Sequence, residues 1–155
     1  MKVFISHKKE DSAIALRVKE ELERLGVPAY LDVLDESITK KGKDLTDHIK
    51  KQLNSCTDII VLMSASTYRS WWVPFEIGMS AQKDMPTVTF LNHYLELPDY
   101  LQYWPRLRSV SDISKYVATR KKYTRQPILE SQQYYTRTDS ISIPEFYDAL
   151  KKELR

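Results

Sequence analysis

Thr57-Asp58-Ile59-Ile60-Val61-Leu62-Met63-Ser64 is the most apolar run in the chain, and its reading decides the fold. An unbroken apolar stretch of this length, bounded by polar residues, is the pattern of a strand buried on both faces. Strands of that kind sit at the centre of parallel sheets covered by helices on each side. On the amino-terminal side, Leu45, Ile49 and Leu53 recur four apart and predict an amphipathic helix closed by Asn54-Ser55. Before it lie a second short strand, Val27 to Leu31, and a long polar connection from Asp32 to Lys43. Connections of that length between strand and helix are often functional.

Further back, Lys2 to Ile5 reads as a first strand that delivers Ser6 and His7 to its carboxyl end. Asp11 and Ser12 are candidate N-caps for a helix whose apolar stripe is Ile14, Leu16, Val18, Leu22 and Leu25, with Gly26 as its stop.

On the carboxyl side, Ser64 to Tyr68 is a small polar linker, followed by Ser70-Trp71-Trp72-Val73-Pro74-Phe75-Glu76-Ile77-Gly78. A helix is expected from about Val73 to Lys83, because proline suits a first turn, where its missing N–H has no partner to lose. Glu76 then lies near the helix start, where the dipole favours an ionised carboxylate, four residues after Trp72 on the same face. A fourth strand is expected at Thr87 to Leu91, a loop or short helix at Leu95 to Trp104, and a fifth strand within Arg108 to Ile113. Tyr116 to Thr138 is basic and tyrosine-rich with no clean period. Ile143-Pro144-Glu145 opens a last helix on Phe146, Leu150 and Leu154, with Ser142 as N-cap.

Strands alternating with helices give an α/β fold. It is a flavodoxin-like, doubly wound parallel sheet of about five strands with helices on both faces, its ligand crevice at the carboxyl ends of the strands. Ser6-His7, Asp32 to Lys43 and Ser64 to Glu76 all emerge at that edge. A length of 155 residues suits one domain. Within it we expect a core over residues 2–117, a basic, tyrosine-rich insertion over 118–141 and a terminal helix over 143–154. No apolar run approaches the length of about 18 residues that spans a bilayer, so no membrane partner is expected. A single cysteine, Cys56, excludes an internal disulfide and fits a cytoplasmic setting. The histidines and Cys56 show no metal spacing, so no metal is assigned. A net charge of +3 is weak evidence for nucleic acid, and no nucleic-acid partner is expected, though the charge suits a phosphate-bearing ligand.

Several occupants of this fold class are excluded. A receiver domain needs acidic residues after the first strand and an aspartate ending the third, where this chain has Ser6-His7 and Met63-Ser64. Lys8-Lys9-Glu10 is no flavin phosphate loop, and with three glycines there is neither a dinucleotide fingerprint nor a Walker A motif. No Ser/His/Asp order can be assembled.

Read together, Val3-Phe4-Ile5-Ser6-His7 with Asp11, Asp32 through Lys41-Gly42, Asp58 through Ser64, and Ser70-x-Trp72-x-x-x-Glu76 resemble a TIR (Toll/interleukin-1 receptor) domain of the bacterial kind. On that resemblance, residues 32–43 match the BB loop, through which such domains self-associate. Trp72 and Glu76 match the W-x-x-x-E motif, which carries the catalytic glutamate of NAD-cleaving members. The resemblance implies an NAD+ nucleosidase or ADP-ribosyl cyclase with Glu76 as catalytic residue. Phe4, Ser6, His7, Asp32, Lys41, Ser70 and Trp72 are the expected substrate-binding residues. NAD+ would be substrate, with no cofactor required. Nicotinamide departs as a neutral molecule, so the chemistry asks for one carboxylate to stabilise an oxocarbenium-like ribose rather than for a triad or metal.

No receptor, nucleotide sensor or coiled coil is expected to be fused to the domain, and such a form resembles the TIR components of Thoeris antiphage systems, whose product acts on a separate effector. Two alternatives stand beside this one: a non-catalytic TIR–TIR interaction module, and an enzyme like the nucleoside deoxyribosyltransferases, which share the sheet and a catalytic glutamate. For Ser70 to Glu76 itself, a plain helix start with aromatic core residues is the competing explanation. Pro74 and the doubled tryptophan depart from the usual entry to the motif helix, and the Arg-Asp and Pro-Gly pairs of receptor-type BB loops are absent.

Overall fold

The computed structural model describes residues 1–31, 42–67, 72–91, 94–97, 99–124 and 142–155, without the side chains of Trp72 and Thr124. Five strands, β1 (Val3–Ser6), β2 (Ala29–Leu31), β3 (Asp58–Leu62), β4 (Thr87–Phe90) and β5 (Arg106–Leu107), form one sheet in the order β2-β1-β3-β4-β5. Every pairing is parallel. The helices are α1 (Ser12–Arg24), α2 (Lys43–Asn54), α3 (Trp72–Gln82), α4 (Asp99–Gln102), α5 (Asp112–Thr124) and α6 (Ile143–Glu153). The chain runs outward from β1 to β2, then returns past β1 to β3. The connections therefore diverge at the carboxyl ends of β1 and β3, which is where doubly wound sheets open a crevice.

Every residue of β1, β3 and β4 is buried, as expected of strands covered on both faces. Helix α2 buries Leu45, Ile49 and Leu53, the three positions its spacing singled out. Helix α1 buries Ala15, Val18 and Leu22, and its chain turns out through Gly26 at φ +72°, a left-handed conformation that costs glycine nothing. Helix α1 packs with α5, α2 with α3, and α5 with α6. Among the described residues no helix is long and apolar enough to cross a membrane.

The carboxyl-terminal third departs from expectation in two places. The fifth strand occupies Arg106–Leu107 rather than part of Arg108 to Ile113. Asp112 explains the difference, because its carboxylate accepts the backbone N–H groups of Arg108 and Ser109 at 3.0 and 3.1 Å and opens α5 there. Helix α5 then continues to Thr124, through the point where an aperiodic insertion was expected to begin. Its inner positions are Ile113, Tyr116, Val117 and Arg120, all buried. The arginine belongs there because it pairs with Asp58, 0% exposed at the start of β3. Arg120 Nε donates to Asp58 Oδ1 at 2.5 Å, Tyr116 donates to the same oxygen at 3.2 Å, and Thr57 donates to Oδ2 at 2.6 Å. The guanidinium also lies 5.7 Å from the ring centre of Phe146, tying α6 to the same knot. Residues 125–141 lie outside the described residues.

Candidate active site

The carboxyl end of β1 meets helix α3 at Ser6 and Glu76. Ser6 pairs with Val61 in the sheet, and its Oγ donates a short hydrogen bond to Glu76 Oε2. The two residues are 70 apart in sequence and are 0% and 1% exposed. A buried carboxylate needs partners of this kind, because an ion removed from water without hydrogen bonds is costly. Glu76 thus points toward the strand ends at the switch point and not into bulk solvent.

Its place in the helix differs from expectation. Helix α3 begins at Trp72, with Pro74 inside the first turn, so Glu76 is one turn further in and the first turn holds no acidic residue. The helix-dipole effect falls off beyond the first turn, so the dipole is not what holds this carboxylate. The Ser6 hydroxyl is one group that does. Val73 and Ile77, on either side of Glu76, are buried in the core and fix the rotation of the helix.

The other expected site residues divide into two groups. Phe4, two residues before Ser6 and therefore on the same face of β1, is fully buried, its ring 5.6 Å from that of Tyr30. His7 is 6% exposed, with Nδ1 3.4 Å from the Ile5 carbonyl and Nε2 3.5 Å from Ser12 Oγ. Asp32, Lys41 and Ser70 lie outside the described residues, as do the rest of 32–41 and Trp71. Trp72 starts α3, and its side chain lies outside the description too.

One feature of this edge escaped the sequence. Asp11 stands at the N-cap position of α1 but makes no side-chain cap bond, forgoing a contact commonly worth about 1 kcal/mol. Its Oδ2 accepts instead from Ser64 Oγ at 2.6 Å and Thr67 Oγ1 at 2.7 Å, both in the connection leaving β3. The spacing of Asp11 announces a cap, and nothing local reveals a partner more than fifty residues away. Beside this network a cavity of about 230 Å³ opens at the carboxyl ends of β3 and β4, with Leu62, Met63 and Phe90 among its walls and Asp11 and Ser64 at its polar side.

A parallel sheet in this order, with a buried Ser–Glu pair at its switch point, is a flavodoxin-like doubly wound fold carrying a carboxylate at its crevice edge. The family model for the TIR domain matches residues 3–124, and the chain belongs to the TIR domain family. Over 79 residues, 49% of this chain, it is 27% identical to a Bacillus cereus (strain MSX-D12) protein named as a probable 3′ cyclic ADP-D-ribose synthase, ThsB′, and covers 41% of that protein. Over 84 residues, 52% of this chain, it is 25% identical to a Cytobacillus dafuensis protein provisionally named cyclic ADP-D-ribose synthase TIR2, covering 22% of it. The matches span less than half the length of these curated relatives.

Among solved structures, the TIR domain of the Toll-related receptor TRR-2 from Hydra magnipapillata superimposes with a TM-score of 0.60 at 17% identity, covering 78% of this chain and 94% of that one. A 2-deoxyribosyltransferase from Bacillus psychrosaccharolyticus superimposes with a TM-score of 0.56 at 13% identity, covering 75% and 92%. At these identities both show the shared fold alone.

Proposed function

We propose that this TIR domain cleaves NAD+ at the nicotinamide–ribose bond, with Glu76 as the catalytic carboxylate. The observation that carries the reading is the Ser6–Glu76 hydrogen bond at the switch point of the sheet. It supports the reading because the switch point, where Ser6 holds this carboxylate, is the edge at which doubly wound folds bind their ligands. As the glycosidic bond breaks, its electron pair leaves with nicotinamide, and positive charge builds on the ribose C1′ and ring oxygen. A carboxylate held in place beforehand opposes that charge without reorganisation cost. Water attacking C1′ would give ADP-ribose and a proton. A nucleophile within the substrate would give a cyclic ADP-ribose, the product class named for the two bacterial relatives.

At 1% exposure, Glu76 is closed off in this conformation, so a ribose reaches it only when neighbouring atoms move aside. Activity would therefore depend on an opening step, for which self-association through the loop at 32–43 is the proposed trigger. We further propose that the product signals to a separate effector protein in antiphage defence. The likeness to a 2-deoxyribosyltransferase concerns the fold and lends no support to nucleoside transfer.

Incubating concentrated protein with NAD+, beside Glu76→Gln, and separating the products by chromatography tests the reading. Nicotinamide from the parent, with ADP-ribose or a cyclic isomer, and none from the variant is the expected result. Equal release from both would remove Glu76 from the chemistry.

A further inference from the structure

Ser6 ends the strand that leads into the β1–α1 connection, and Glu76 follows the β3–α3 connection. Asp11 joins these two connections. Its Oδ2 accepts from Ser64 Oγ and Thr67 Oγ1, and Ser64 Oγ in turn accepts the backbone N–H groups of Ser66 and Thr67, each at 3.1 Å. The hydroxyls of Ser64 and Thr67 are themselves 3.1 Å apart, and Thr67 is 1% exposed. A single carboxylate oxygen therefore organises the turn that leaves β3. It does so from a residue five positions after Ser6, at the end of a 3-10 turn over Lys9–Asp11. The carboxylate is used across the fold in place of its local capping role, and departures of this kind from local rules cluster at functional sites.

We propose that Asp11 is a positioning residue for the reaction at Glu76. It pins the β3–α3 connection to the β1–α1 connection, so that the Ser6 hydroxyl and the Glu76 carboxylate meet in one geometry. This rests on the assignment of Glu76 as the catalytic group. Asp11 touches neither Glu76 nor the reacting atoms in this scheme. Its removal lowers turnover through misplacement, and a shift of about 1 Å at a reacting group costs up to about a hundredfold.

The test uses the full chain and two measurements. In Asp11→Ala, kcat for nicotinamide release should fall about 10- to 100-fold with KM within about threefold, since only the transition state requires the exact carboxylate position. Ser64→Ala combined with Thr67→Val should lower kcat comparably, and adding Asp11→Ala to that pair should cost nothing more, as expected when residues act as one unit. Hydrogen exchange supplies the second readout, which does not depend on activity. The Ser66 and Thr67 amides should exchange at least about tenfold faster in Asp11→Ala, while Val88 and Phe90 in β4 keep their parental rates. Asp11→Asn retains an acceptor oxygen and should recover part of both effects, and it serves if the alanine variant does not fold.

Unchanged exchange at Ser66 and Thr67 would overturn the clamp. Faster exchange with parental kcat, or a loss of kcat that adds to that of the hydroxyl pair, would overturn its catalytic role. A parent that stays inactive even at concentrations where the chain self-associates would overturn the assignment of Glu76 and the catalytic role of Asp11 with it, and exchange would still decide the clamp.

Discussion

Ser6→Ala removes one oxygen atom from the centre of the candidate site and leaves the backbone pairing of β1 with β3 untouched. The lost group is a hydroxyl donating to a carboxylate, with both residues at most 1% exposed. Hydrogen bonds to charged groups contribute about 1.5–3 kcal/mol, and a buried acceptor left short of a donor keeps its full desolvation cost. About 2 kcal/mol is therefore expected from stability. For a domain of this length that corresponds to a fall in Tm of about 4–8 °C. The same hydroxyl fixes the orientation of the carboxylate that would face the ribose. If most of its contribution is felt in the transition state, kcat for nicotinamide release should fall by about thirtyfold, the equivalent of about 2 kcal/mol. Thermal melts of parent and variant read the first effect, and initial rates with NAD+ at several concentrations read the second. A variant with parental Tm and parental kcat would show that the Ser6–Glu76 bond neither supports the fold nor orients the carboxylate, and would refute the reasoning.

Further outcomes follow from contacts elsewhere in the fold. Asp58→Asn keeps the shape at the start of β3 but leaves the Arg120 guanidinium buried without its counter-charge, a loss of about 3 kcal/mol that should lower Tm by about 6–12 °C. Adding Arg120→Met should recover more than half of that loss, and a single variant as stable as the parent would contradict the pairing. Burial pushes the Tyr147 phenol up to about 12, and burial with the Asp58 carboxylate beside it pushes Tyr116 well above the ordinary phenol range. Stability from these groups is fully present below about pH 10, where folded and unfolded chains both hold the protons. Above it the unfolded chain releases protons that the folded chain retains. Denaturant melts should therefore weaken by about 1.4 kcal/mol per pH unit for each such group as pH rises toward 12. Tyr147→Phe should start less stable, because the Thr87 N–H loses its acceptor, and should show a shallower decline; an unchanged slope would count against the shift.

The parts of this molecule that were legible in the sequence are those where side-chain chemistry and local structure agree. Ile59 to Leu62 reads as a strand buried on both faces and forms one, and Leu45, Ile49 and Leu53 read as the inner face of a helix and are buried there. The parts that were not legible depend on partners distant in the chain. Arg120 breaks the apolar stripe of α5, so Tyr116 to Thr124 reads as aperiodic, and only the fold brings Asp58 beside the arginine. The fifth strand is two residues long and carries no period of its own, so nothing local in the sequence marks it. Asp11 read as a helix cap for the same reason, its partners being more than fifty residues away. At the site, the motif spacing located Glu76 and the topology located Ser6, but only the folded chain shows that they touch.

The central claim is that the Glu76 carboxylate performs chemistry and does not merely support the fold. The most direct measurement is the rate of nicotinamide release by parent and Glu76→Gln across a range of NAD+ concentrations, on samples of matched Tm. Glutamine keeps the size and one acceptor for Ser6 but cannot oppose a developing positive charge. The expected result is a fall in kcat of about a thousandfold, the scale seen when one electrostatic stabiliser is removed from an active site. A well-folded glutamine variant that releases nicotinamide at the parental rate would contradict the claim.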